Sequence, residues 1–307
     1  MRTPVRLAAF ALGLVAVFGV AAGAGRLIGP DVPPEPEPAH GEAHTSGAPR
    51  IPGGLQIAQG GYRLSPATTR LTVGEPGPFA FQVLGPDGKP VTSYTRNHDK
   101  DLHLIVVRRD LSGYQHLHPV LGADGTWSVP IGVDTPGQYR VLADFQPAAE
   151  PEALTLGVDV PAAGDYQPVP LPPAARTAEV DGYTVTLDGD LAAGASSALD
   201  FTVSRDGQPV TGLEPYLGAL GHLVVLREGD LAYLHVHPAS ETALSFQAEV
   251  PSPGVYRLYL DFQHGGKVRT AEFTATTTGV TQPPAPSEAA DPGPSADGHG
   301  ADSHTHD

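Results

Sequence analysis

Residues 85–119 read GPDGKPVTSYTRNHDKDLHLIVVRRDLSGYQHLHP, and residues 204–238 read SRDGQPVTGLEPYLGALGHLVVLREGDLAYLHVHP. The spacing inside the two stretches is the same. Pro90 to His103 spans 13 positions, as does Pro209 to His222, and 13 more lead to His116 and His235. Further on, PGQYRVLADFQ (136–146) matches PGVYRLYLDFQ (253–263) without a gap. A repeat of this kind predicts two copies of one domain, at 55–162 and 177–279, joined by a Pro-rich linker over 163–176.

Within each copy, short β-rich segments recur at intervals of roughly 8–12 residues. In the second copy they include YTVTL, ALDFTVS, HLVVLR, ALSFQAEV, VYRLYLDF and VRTAEFTAT. No segment sustains a helical period, and Asp-Gly pairs mark several turns. Glycine (37) and proline (33) are abundant, and charged residues make up only 17% of the 307. That composition excludes a helical bundle and favours many strands separated by turns. The expected fold is all-β: two tandem immunoglobulin-like antiparallel β-sandwiches, without the Cys–Trp–Cys hallmark of antibody domains, since cysteine is absent.

The histidines sit at definite places in this pattern. His116 and His118 are two apart on a strand and point to one face. Pairing that strand with the one beginning near His103, in a register where partner numbers sum to 221, sets His103 opposite His118. Leu102, Leu104, Val106 and Leu117 then share the core face, whereas an even sum would mix histidines with leucines. The same logic in the second copy groups His222 with His235 and His237. Neighbouring strand positions lie about 4.5–7 Å apart, so three co-facial imidazoles can converge on one ion.

The expectation is therefore one metal site per domain. The first would use His103, His116 and His118, with His98 as a fourth candidate. The second would use His222, His235 and His237, with His264. Asp144 and Asp261, on the polar side of the two DFQ strands, would be ligands or orienting groups. With no cysteine and methionine only at position 1, soft sulfur ligation is excluded, and imidazole donors suit Cu(II) or Zn(II).

Two readings compete with a metal carrier. One is a non-metal structural or adhesion ectodomain whose histidines serve packing. The other is a metal-dependent enzyme. Gly229, His235, His237 and Glu241 match the first half of a cupin motif, but the trailing glycine and the second half are missing. A zinc hydrolase would need an open fourth position, and no nucleophile elbow or HExxH helix is present. The chain is therefore read as a non-enzyme. A nucleic-acid partner is excluded by the net charge of −16.

The DG-x-PV strand, the His-initiated hairpin ending in HLHP or HVHP, and the PG-x-YR strand resemble the YtkA-like group of exported immunoglobulin-type domains. The resemblance covers both repeats and neither tail. It implies copper handling outside the cytoplasm, with an envelope copper exporter or an oxidase assembly factor as partner. The group often carries methionines beside its histidines, and this chain has none there, which leaves Cu(II) or Zn(II).

The ends support an exported location. Arg2 and Arg6 precede an uncharged run, residues 7–25, long enough at about 1.5 Å per residue to cross a bilayer. With the basic side retained in the cytoplasm, the rest lies outside. Residues 1–29 read as a single-pass anchor, with Arg26-Leu27-Ile28 prolonging the run, or alternatively as a signal cleaved near Ala24. Residues 30–54 form a Pro-rich stalk carrying His40 and His44. Residues 280–307 form an acidic tail with His299, His304 and His306, both segments being suited to weak metal collection.

Overall fold

The structure is a computed structural model that describes residues 51–277. The anchor or signal segment, most of the stalk and the C-terminal tail lie outside the described residues. Among those described, no helix is long and apolar enough to cross a membrane.

Among the described residues all regular structure is β. The first sandwich contains β1 (Ala58–Gln59), β2 (Tyr62–Pro66), β3 (Gly77–Leu84), β4 (Tyr94–Thr95) and β5 (Leu102–Arg108). It continues with β6 (Gln115–Leu117), β7 (Val120–Leu121), β8 (Thr126–Ile131), β9 (Gly137–Pro147) and β10 (Leu154–Ala162). One sheet runs β1-β2-β3-β8-β7, and the facing one runs β10-β9-β5-β6 with β4 on β9.

The second sandwich contains β11 (Thr177–Val180), β12 (Tyr183–Asp188), β13 (Ala195–Arg205), β14 (Gln208–Pro209) and β15 (Gly221–Arg227). Then follow β16 (Val236–Pro238), β17 (Ser245–Val250), β18 (Val255–His264) and β19 (Lys267–Thr276). Its sheets run β11-β12-β13-β17-β16, with β14 on β13, and β15-β18-β19.

Residue type explains which sheet goes where. β3 and β13 alternate buried and more exposed positions, as strands with one wet face must. β5 is buried at every position, and β15 at every position but its last. Their runs, HLIVVR and HLVVLR, carry apolar side chains on both faces. Leu102, Leu104 and Val106 enter the core of the first sandwich, where Trp127, Phe79 and Phe81 pack. Each core is pinned by a tyrosine near the start of a long strand: Tyr139 donates to Thr135 O (2.8 Å) and Tyr256 to Ser252 O (2.8 Å). This back-bonded tyrosine at a sheet corner is a feature of immunoglobulin-like sandwiches.

The other face of β5 meets its counterpart on β15. Ile105, Val107, Leu111 and Leu142 of the first sandwich pack with Val224, Leu226, Leu231 and Tyr259 of the second in one buried cluster. Burying each such side chain contributes about 1.5–3 kcal/mol. An apolar contact of this kind holds two domains in a fixed relation, where a polar one would let them move. Tyr114 stacks on Tyr259 at 3.9 Å, and the Tyr259 hydroxyl donates to Leu111 O (2.6 Å). Leu111 and Leu231 both adopt left-handed backbone (φ 65° and 61°), a strained state for leucine that delivers each side chain into this junction.

The chain also crosses the junction twice outside the strands. Gly53 and Gly54, read from the sequence as the end of the stalk, lie between the sandwiches: Gly53 O accepts from Tyr233 N (2.9 Å) and Gly54 N donates to Thr155 O (2.8 Å). Gly54 has φ +75°, and a side chain there would collide with Leu142. In the linker, Val169 N donates to Asp110 Oδ2 (2.7 Å), Tyr166 lies under the Arg108 guanidinium, and Leu171 packs on the junction.

Candidate metal centre between the two sandwiches

The hairpin of the first sandwich has the register expected from the sequence: Leu104 pairs with Leu117 and Ile105 with His116, both sums being 221. His103, His116 and His118 therefore share the face of the sheet that looks toward the second sandwich. Their ligand nitrogens all lie within 4.8 Å of one another. His103 is 2% exposed, and the His116 side chain 3%.

A row of hydrogen bonds fixes the protons. His103 Nε2 lies 3.0 Å from the Asn97 carbonyl, which can only accept, so this nitrogen carries a hydrogen. His103 Nδ1 lies 3.0 Å from His116 Nε2. His116 Nδ1 lies 2.8 Å from Asp261 Oδ2, on β18 of the second sandwich. Satisfying all three contacts takes three protons on two rings, a net charge of +1 that the Asp261 carboxylate balances. Burial, then the neighbouring His116, lowers the proton affinity of His103 to a pKa of about 4, so the His103 ring is neutral. Asp261 is itself held by Thr270, which donates to Oδ1 (2.6 Å).

Removing the shared proton turns this row into a donor set. His103 Nδ1 and His116 Nε2 then offer lone pairs to one point. Two nitrogens on a common ion at about 2.0–2.1 Å stand about 3 Å apart, close to the separation found. The remaining N–H groups are already held, by a backbone carbonyl on His103 and by a carboxylate on His116. Those are the partners that orient metal-bound histidines.

Two further imidazole nitrogens have no partner although they are buried: Nε2 of His118 and Nε2 of His222. Both rings are kept neutral by burial, His118 at a pKa of about 3 and His222 well below the usual range. His222, on β15, stacks on His103 (5.2 Å, 11° between planes) and lies 4.7 Å from the His116 ring. A buried polar atom without a partner is costly, so two of them, on His118 of the cluster and on His222 stacked beside it, mark a place for a ligand. Imidazole donors of this kind suit Zn(II) or Cu(II).

The family model for a domain of unknown function, DUF8832, matches residues 57–166 and again residues 178–279. The chain belongs to the DUF8832 family. No curated protein matches it. Among solved structures, similar chains include the adhesin FdeC of Escherichia coli, 16% identical, covering 71% of this chain and 64% of that one with a TM-score of 0.23. Another is the bacterial integrin-binding protein invasin, 16% identical, covering 72% and 40% with a TM-score of 0.21. A two-domain fibronectin type III segment of chicken tenascin is 7% identical, covering 70% and 97% with a TM-score of 0.22. The chain thus spans less than two thirds of the first two proteins.

The two DUF8832 copies do not build equivalent sites. The sequence predicts a second cluster of His222, His235 and His237, and the structure separates them. Leu226 still bridges Tyr233, with Leu234 N donating to Val225 O (2.9 Å), but the strand then crosses to the other sheet. There Val236 pairs with Ala248 and His237 with Gln247. The turns are equally long, 13 residues from His103 to His116 and from His222 to His235, so the copies part beyond the turn, where Val236–Pro238 joins the sheet of β17. His235 and His237 end exposed, their rings 3.9 Å apart, and His222 is left to the cluster of the first copy.

The remaining candidates divide. His98 sits in a tight turn closed by Asn97 and Lys100, with its ring 5.3 Å from His222 and 6.1 Å from His103, at the edge of the cluster. His264 is bound elsewhere, sharing a 2.8 Å hydrogen bond with the Tyr183 hydroxyl. Asp144 is the cross-strand partner of His103 and accepts from Thr155 (2.8 Å), with burial raising its pKa to about 6. Asp261 is in the cluster, but on a histidine of the other repeat. Sequence reasoning missed Asn97, Thr270 and the joining of two copies into one centre. The available signal was Ile105, Val107, Val224 and Leu226: apolar residues on the same strand faces as the histidines, which only a second buried contact accommodates.

Proposed function

We propose that this DUF8832 protein binds one divalent transition-metal ion, copper or zinc, between its two sandwiches. His103, His116 and His118 supply the donors, His222 closes the site from the second sandwich, and Asp261 orients His116. The observation that carries this reading is the pair of buried, partnerless nitrogens on His118 and His222 beside two histidines whose outer N–H groups are already anchored. A site capped by a fourth imidazole suits holding and passing on an ion, whereas catalysis needs an open position. The role is buffering or delivery outside the cytoplasm, for an envelope copper exporter or an oxidase assembly factor. The apolar run at residues 7–25 would serve as anchor or export signal, and the resemblance to YtkA-like domains favours copper.

A second reading has its own support. The His116–Asp261 pair, buried inside an apolar junction, would fasten two sandwiches of a structural or adhesive ectodomain without any metal. Titrating Cu(II) and Zn(II) into the full chain, with His40, His44, His299, His304 and His306 replaced by alanine, separates the two. The carrier reading expects one tightly held ion, lost in His118→Gln while the metal-free stability stays unchanged, because His118 Nε2 has no bond to lose. No bound ion at micromolar metal, or full binding by His118→Gln, would leave the structural reading.

A further inference from the structure

We propose that His235 and His237 form a separate, solvent-facing metal site that takes up the ion first, and that His98 relays it to the buried cluster. This rests on the cluster being a metal site. The two histidines stand two apart at the start of β16, their rings nearly perpendicular (88°) with centroids 3.9 Å apart. Both are exposed, so two imidazoles meet water and can exchange a metal ion readily. In the first repeat His118 is only partly exposed and the His116 side chain is 3% exposed, so that pair is far less open to water than His235 and His237.

His98 lies at the edge of the cluster. It lies in a turn whose two central residues, His98 and Asp99, are both left-handed (φ 48° and 62°), and this presents its ring toward the junction. His98 is half-buried, with its ring 5.3 Å from that of His222 and 6.1 Å from that of His103, and its proton affinity is depressed first by burial and then by the nearby His237. Exposure therefore falls in steps from His235 and His237, through His98, to His222 and His103. Each step keeps imidazole as the donor, so the ion moves by exchange between like ligands. The second repeat has Leu217 at the position of His98, so this route is confined to one side of the pseudo-symmetric junction.

The test uses the full chain with its five tail histidines replaced by alanine, and Cu(II) alone as the probe. Stopped-flow quenching of Trp127 fluorescence follows uptake, and equilibrium dialysis counts ions. In His235→Ala/His237→Ala the tight ion is retained, one weaker ion disappears, and loading at low copper slows several-fold. His98→Asn, a residue that tolerates the left-handed turn, keeps both ions and slows the transfer between them. Unchanged loading and an unchanged ion count in the double variant would overturn the uptake site. A parent chain that holds no tight ion would overturn the buried centre and the relay together, and the ion count alone distinguishes that case.

Discussion

His116 and Asp261 lie 145 positions apart and in different repeats, yet His116 Nδ1 is 2.8 Å from Asp261 Oδ2 and both side chains are 3% exposed. Each repeat builds the same row across its sheet: His103, Asp144 and Thr155 in the first, His222, Asp261 and Thr270 in the second. The junction lays these rows against one another. A carboxylate that would have served its own copy serves the neighbour's histidine, and the two domains become one site.

Asp261→Asn tests that link. It keeps the shape of the side chain and removes the charge that faces His116 Nδ1. Loss of such an orienting partner lowers metal affinity about 10–100-fold. Chelator competition measures it, and an affinity equal to the parent's would remove Asp261 from the centre.

Acid should destabilise the metal-free protein. Burial holds the pKa of His103 at about 4 and that of His118 at about 3, while the unfolded chain titrates near 6.5. As pH falls from 6.5 through these values, the unfolded state binds protons that the fold refuses, and stability drops. Asp144 acts in the opposite sense. Its pKa of about 6 means that the fold keeps a proton lost by the unfolded chain between about 3.9 and 6, a contribution that disappears as pH rises through that window. Two histidines outweigh one aspartate, so Tm should decline from pH 6 to pH 4, and more steeply in Asp144→Asn. A Tm that is flat or rising toward pH 4 would contradict this assignment of protons.

The apolar junction should matter for metal binding as well as for stability. Leu226→Ala removes a fully buried side chain from the contact between sandwiches, at a cost of about 2–5 kcal/mol. Loosening the contact draws His222 and Asp261 away from the histidines of the first repeat. Thermal unfolding and metal titration should therefore weaken together. Lower stability with unchanged affinity would show that the first sandwich holds the ion alone.

Asp110 ties the linker to the first sandwich. Its carboxylate pairs with Arg108 at 2.6 Å, both side chains under 10% exposed, and also accepts from Val169 N. Asp110→Ala leaves a buried guanidinium without its counter-charge, which costs about 3–5 kcal/mol. Calorimetry checks the loss, and proteolysis should cut first within 163–176. A variant as stable and as resistant as the parent would refute this role.

Much of the first domain's site was legible because strand geometry is local. Residues two apart share a face, and the choice between burying leucines or histidines fixed the 221 register without any reference to distant contacts. The same reasoning failed for His235 and His237, since the chain leaves the hairpin after Leu234 and Val236–Pro238 pairs with β17 of the other sheet. A choice between two sheets is invisible to a pattern of alternating side chains.

The sequence by itself determined the duplication, the β-sandwich class, the histidine face of β5 and β6, and a donor set restricted to nitrogen and oxygen. These follow from periodicity and composition, which act over a few residues. The tertiary structure alone decided that the two histidine faces meet, that Asp261 serves His116, and that His264 turns to Tyr183. Those outcomes depend on burying Ile105, Val107, Val224 and Leu226 against each other, an association between segments more than a hundred residues apart whose partners no local pattern specifies.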